Sequence, residues 1–171
     1  MKRNESEKED IVFANLAEIE KSKIVDLMNN PLVRRQMPLL KGEFNQTDCE
    51  KFITSKERMW KEHGFGPWAF VVNQEFAGWG GIQPDDGEAD LALVLHPDYW
   101  GIGKVLYKEI IGRAFYELNI ATVQVLFPPS RTRIKGLLHL GFKKERELEI
   151  GNEKFIRYTL DKSDWIKDSK V

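Results

Sequence analysis

The segment from Leu91 to Phe115, LALVLHPDYWGIGKVLYKEIIGRAF, constrains the chain more than any other. It opens as an apolar strand, breaks at His96-Pro97-Asp98 and passes through Trp100-Gly101-Ile102-Gly103-Lys104. It then continues as a helix with Leu106, Ile110, Ala114 and Leu118 on one side. A strand-to-helix loop this short is expected to need residues without a Cβ at Gly101 and Gly103. It also leaves the first free amides of the helix pointing at whatever lies in front of them. An anion there is favoured by those amides and by the helix dipole, each effect worth about 0.3–1 kcal/mol. The loop is therefore a candidate phosphate cradle, although a tight turn with no ligand would use the same two glycines.

Of two familiar phosphate loops, one fails and the other is weak. A Walker loop would need Gly where Asp98 stands and Ser or Thr where Val105 stands, and a dinucleotide fingerprint would need a third Gly at Leu106. Composition narrows the field further. The formal net charge of −1 gives no global pull on nucleic acid, and no apolar run approaches the roughly 18 residues of a membrane span. With no signal peptide after Met1, a cytoplasmic protein is expected. A single cysteine, Cys49, excludes an internal disulfide, and His63, His96 and His139 form no pair at metal-ligand spacing, so no metal is expected.

Along the chain, residues 1–8 are polar and aperiodic and predict a disordered start, followed by one domain over 9–171. Ile11 to Leu16 reads as a strand, Asn15 with Glu18 as a helix start, and Pro31 as the end of a helix carrying Ile24, Leu27 and Met28. Arg34 and Arg35 read as a solvated loop. Thr47 and Glu50 form a capping box for a helix to about His63 that buries Phe52, Ile53, Met59 and Trp60. Two strands joined at Asn73-Gln74 follow, with Gly78, Gly80 and Gly81 predicting a bulge or a close backbone approach, and a fourth strand runs from Glu88 to Leu95. After the central helix come a strand from Ile120 to Phe127, a helix from about Arg131 to Leu140 with Ser130 as N-cap and Ile134, Leu137 and Leu138 inward, and a hairpin turning at Gly151-Asn152. The order β α α β β β α β α β β predicts an α+β chain built on a mixed sheet.

HPDYWGIGKVLYKEI resembles the acyl-coenzyme A loop of the GNAT superfamily of N-acetyltransferases, whose pattern is Gln/Arg-x-x-Gly-x-Gly/Ala. Trp100 falls at the first position, Gly103 matches the middle one, and Val105 takes the last. The Tyr-Trp-Gly-x-Gly form is similar to the branch containing the ribosomal-protein alanine and serine N-acetyltransferases, and MNNPLVRRQMPL resembles the segment that walls the acceptor site there. Leu140-Gly141-Phe142 at the start of the sixth strand fits the same layout, and the family's Asn-x-x-Ser helix start falls on Ser130 and Arg133.

The resemblance implies a single-domain GNAT fold and transfer of acetyl from acetyl-CoA to a primary amine by direct attack. The amine would belong to a protein N-terminus, an amino acid or another small molecule, and homodimerisation is left open. It implies pyrophosphate on the amides of Gly101, Ile102, Gly103, Lys104, Val105 and Leu106 beside Trp100, and pantetheine along the backbone of Leu93, Val94 and Leu95. Lys104, Ser130, Arg131, Arg133 and Lys135 are added as partners for the nucleotide end. Asp90 falls where the branch carries a strand carboxylate, and Glu88 lies two residues away on the same face, so either is a candidate base. The family positions for an acid on the leaving thiolate hold Leu137 and Arg133, which leaves Ser130, Tyr99 and Tyr107 as substitutes and Cys49 as a remote nucleophile. Those departures keep a second reading open, a catalytically weak module of this fold that binds acyl-CoA as a sensor or interaction surface.

Overall fold

The computed structural model describes residues 10–168; the expected disordered start at residues 1–8 lies outside the described residues. Seven strands, β1 (Ile11–Ala14), β2 (Pro67–Val72), β3 (Glu75–Asp85), β4 (Glu88–Leu95), β5 (Thr122–Phe127), β6 (Lys143–Ile150) and β7 (Glu153–Asp161), form one sheet. Its order is β1-β2-β3-β4-β5-β7-β6, antiparallel except where β4 meets β5. Six α-helices accompany it among the described residues: α1 (Lys21–Asn29), α2 (Pro31–Arg34), α3 (Gln46–His63), α4 (Gly103–Tyr116), α5 (Lys135–His139) and α6 (Lys162–Asp168). The α+β mixed sheet is observed as expected, with two helices the predicted order lacked, α2 after α1 and α6 after β7, and none of the described helices is long and apolar enough to cross a membrane.

The strand pleat sorts the core into two layers. On one face, Ile24, Leu27, Met28, Cys49 and Ile53 from α1 and α3 pack on Ala69 and Trp79. On the other, Leu106, Ile110, Ile111, Ala114 and Phe115 from α4, with Leu137 from α5, pack on Leu91, Leu95, Val123 and Val125. Tight turns fix the hairpins: Asn73 and Gln74 have φ of 49° and 71°, Gly151 and Asn152 φ of 55° and 64°, the left-handed pairs that match strand twist.

The glycines of β3 answer to packing. Ala77 is the extra residue of a bulge against Phe70 and Val71. A Cβ at Gly78, whose φ is +155°, would lie 2.1 Å from the Val94 carbonyl, and one at Gly80 would lie 2.5 Å from that of Ala92. The close approach is to the neighbouring strand.

Several local expectations are corrected. Asn15 caps only a 3-10 turn at Leu16–Glu18, and α1 begins at Lys21. Pro31 follows α1 as expected but also opens α2, where its missing N–H costs nothing and Asn30 caps the turn. The capping box of α3 is Asn45 with Asp48, displacing Thr47 with Glu50 by two residues because both pairs have the same spacing and the chain enters the helix at Gln46. The helix predicted from Arg131 is confined to Lys135–His139, so Ser130 caps nothing, and Leu138 is exposed while Leu140 takes the inward place.

The feature that positions a site is the junction of β4 and β5. β4 pairs with β3 along its whole length, and β5 with β7 from Thr122 to Phe127. Between β4 and β5 the register holds at one pair, Asp90 with Gln124. Beyond it β4 and β5 form no further ladder pair, each held by its own partner strand, which leaves an opening in the hydrogen-bond ladder with Asp90 and Gln124 at its apex.

Candidate active site

One edge of the opening is β4. His96 N donates to Ala77 O at 2.8 Å and Leu95 stands opposite Gly78, which makes Leu95 and Gly78 a non-hydrogen-bonded pair. By the antiparallel alternation Val94 then exchanges its backbone bonds with Trp79, whereas Leu93 and Leu95 turn N–H and C=O toward the opening. The indole Nε1 of Trp100 donates to the Leu95 carbonyl at 2.9 Å. Of the three strand residues expected to pair with a pantetheine arm, Leu93 offers both backbone groups and Leu95 its amide, while Val94 is committed to β3.

At the mouth, Pro97–Ile102 forms a 3-10 turn, started by His96, whose Nδ1 accepts from the Asp98 amide at 3.1 Å. α4 then begins at Gly103 with no side-chain cap, the Gly103 amide itself donating to the Trp100 carbonyl of the 3-10 turn. The structural reason expected for the two glycines is wrong. A Cβ on Gly101 would meet nothing within 4 Å, and one on Gly103, a position with φ of −54°, would meet Leu95 Cδ1 at 3.9 Å and Leu93 Cδ2 at 4.0 Å. Any residue fits the turn. What Gly103 leaves bare is the space between the start of α4 and the open edge of β4, a cradle that a larger side chain would fill. That space and the uncapped helix fit a pyrophosphate.

The remaining cofactor candidates divide. Lys104 is exposed at the helix start, Val105 is 57% exposed, and Leu106 is buried in the core. Arg133 stacks its guanidinium over the Trp100 ring at 5.6 Å and so bridges the segment after β5 to the glycine turn. Ser130 is exposed in a turn after Pro129. Arg131 turns inward instead, over the Phe127 ring at 3.8 Å and hydrogen-bonded to Tyr107.

The apex gathers the titratable groups of the candidate site. Asp90 points to the α1–α3 face, where its Oδ1 is buried without a hydrogen-bond partner. Burial first, and the nearby Asp85 carboxylate second, push its acid up to about 7, against the pull of a hydrogen bond from Gln124 and the charge of Lys56. Gln124 is buried in β5, and its Oε1 accepts from Arg157 Nε at 2.6 Å, which turns its NH2 toward Asp90. Arg157 also holds Glu88 through Nη2 at 3.0 Å, and Glu145 through Nη1. Lys56 reaches down from α3 to Gln83 Oε1, its ammonium 5.1 Å and 5.2 Å from the Phe52 and Trp79 ring centres; burial lowers its acid to about 8. The two carboxylates are thus separated by role: Glu88 is a counter-ion, and Asp90 keeps an unpaired oxygen.

The substitute acids are engaged elsewhere. Tyr99 donates to Glu75 Oε2 at 2.8 Å and packs with Val72 and Ala77, and Tyr107, on the buried face of α4 and raised by burial, is hydrogen-bonded to Arg131. Cys49 is fully buried with its thiol also raised by burial. Arg34, expected in a solvated loop, lies in α2 and ties the following segment down through Asn29 Oδ1 and the carbonyls of Leu40 and Gly42. That segment reaches the β6–β7 turn through Lys41 and Glu153 at 2.8 Å.

Lys56, Gln124 and Arg157 were not anticipated. Their signals were a charged residue on the apolar stripe Phe52-Lys56-Trp60, a lone amide inside the strand TVQVLF, and an arginine inside KFIRYTL.

A family model described as an acetyltransferase (GNAT) domain matches residues 13–143. No curated protein matches the chain. Among solved structures, an aminoglycoside acetyltransferase in complex with coenzyme A superposes with a TM-score of 0.74 at 12% identity, covering 95% of this chain and 99% of that one. A spermidine N-acetyltransferase from Vibrio cholerae in complex with CoA and spermine gives 0.71 at 14% identity, covering 92% and 98%. A GNAT-family acetyltransferase from Bacillus anthracis gives 0.70 at 15%, covering 92% and 96%.

Proposed function

The chain belongs to the GNAT family of acetyl-CoA-dependent acetyltransferases, and from that premise we propose that it acetylates a primary amine by direct attack, with Asp90 as general base. The observation that carries this reading is the unpaired, buried Oδ1 of Asp90 at the apex where β4 and β5 part. Acetyl-CoA supplies an activated acyl group on a good leaving thiolate. The protein's share is to hold it and to handle one proton. The uncapped start of α4 and the bare Gly103 take the pyrophosphate, Leu93 and Leu95 offer backbone partners along the opening, and Arg133 with Lys104 flanks the mouth.

An amine of pKa about 8 to 10 arrives mostly protonated, and an ordinary aspartate near 3.9 is a poor base for it. Asp90, at about 7, is matched to the task near neutral pH. Holding amine and thioester together supplies up to roughly 7–11 kcal/mol of the barrier, and a thiolate whose conjugate acid lies near 8.5 leaves without a dedicated acid. The acceptor is a primary amine on a small molecule or a protein N-terminus, entering from the α1–α3 face in the cytoplasm. The carboxylates of Asp85, Glu88 and Glu145 around the apex support a cationic one. The test is amine-dependent release of free CoA thiol across a panel of polyamines, amino acids and N-terminal peptides. Binding of acetyl-CoA without release on any amine would favour the sensor reading instead.

A further inference from the structure

Gln124 is the one polar side chain in the buried set of the described residues, and it sits where the sheet divides. A buried amide in a strand of Val, Leu and Phe is costly unless each of its groups is paired. Here both ends are engaged, the oxygen by Arg157 and the NH2 by Asp90. Arg157 is itself immobilised between Glu88 and Glu145 from two other strands. Because the guanidinium can only donate, it fixes which way the amide faces, and the amide then holds one oxygen of Asp90 so that the other stays unpaired.

We propose that Gln124, oriented by Arg157, is a positioning residue that aims the Asp90 carboxylate at the acceptor amine and sets the pH at which it becomes a base. The proposal rests on Asp90 being that base. The charged groups facing Asp90 act with known signs: Lys56 from α3 favours the carboxylate and Asp85 from β3 opposes it, while Arg157 from β7 has its charge shared by Glu88 of β4 and Glu145 of β6. Loss of the amide hydrogen bond therefore moves Asp90 upward.

The test uses the intact chain and two readouts, carboxyl-carbon NMR titration of Asp90 without ligands, and the pH profile of kcat/KM for the best amine. Gln124→Met is expected to raise the Asp90 midpoint and the acidic limb together by about one pH unit. That is roughly a ninefold loss at pH 6 and recovery to near the parent rate at pH 9, a recovery that a merely structural defect would not give. Arg157→Met and Lys56→Met should move both readouts the same way, and Asp85→Asn the opposite way. Gln124→Asn, a shorter amide, should restore part of the limb. An unmoved Asp90 midpoint in folded Gln124→Met overturns the proposal, as does a uniform loss at every pH. Full activity of Asp90→Asn would instead remove the base on which it rests while leaving the NMR shift intact, so the two failures are distinguishable.

Discussion

Gly103→Glu separates folding from binding, because the structure gives the two effects opposite signs. Position 103 is the first residue of α4, has ordinary helical backbone angles, and offers a Cβ only van der Waals contact with Leu93 and Leu95. Replacing glycine in a helix is worth about 0.5–1 kcal/mol, and a carboxylate in the first turn adds about 0.3–1 kcal/mol through the dipole. The variant should melt no lower than the parent. Its carboxylate, however, lies in the space assigned to the pyrophosphate. At a separation of about 5 Å and an effective dielectric of about 40, each of two phosphate charges is repelled by roughly 1.7 kcal/mol. The sum, about 3 kcal/mol, weakens acetyl-CoA by a hundredfold or more. Calorimetric titration beside a thermal melt measures both, and added salt should narrow the gap. Undiminished binding in the variant, or a loss of binding that merely tracks a loss of folding, would refute the cradle.

Two further outcomes are expected. Gly78→Ala should destabilise by about 3 kcal/mol or more, since its Cβ would collide with the Val94 carbonyl at a φ that L-residues avoid, whereas Gly101→Ala, open on all sides, should stay within about 0.5 kcal/mol; denaturant melts compare them. Asp90→Asn should stabilise the fold at pH 8 by about 4 kcal/mol and have no effect near pH 4, because a carboxyl raised to about 7 binds its proton more tightly in the folded chain and costs stability progressively as pH climbs from about 4 to 7. A melt difference that grows toward acid would contradict that sign.

The order of the strands, and of the helices other than α2 and α6, was legible because each carries a local signal: apolar alternation for the strands, breakers at Gly64-Phe65-Gly66-Pro67 and Pro128-Pro129, and hairpin pairs that tolerate positive φ. Local signals also misled where two solutions share one pattern. Asn45-x-x-Asp48 and Thr47-x-x-Glu50 have the same spacing, and only the path of the chain into α3 chooses between them. The glycine loop singled out the start of α4 for a reason the structure withdraws, because the turn tolerates side chains at both glycines. Asp90 was legible as one of two carboxylates on a strand face. The choice between them was not, since it depends on Arg157, which lies far along the chain and joins Glu88 only when β7 pairs with β5.

The most direct test of the central claim is CoA thiol release by the parent and Asp90→Asn, measured from pH 6 to 9 with saturating acetyl-CoA and the best amine of the panel. The account predicts amine-dependent release by the parent that rises through pH 7, and a loss of at least a hundredfold in the variant at neutral pH with acetyl-CoA binding preserved. Release by Asp90→Asn at the parent rate, with the same pH profile, would contradict it.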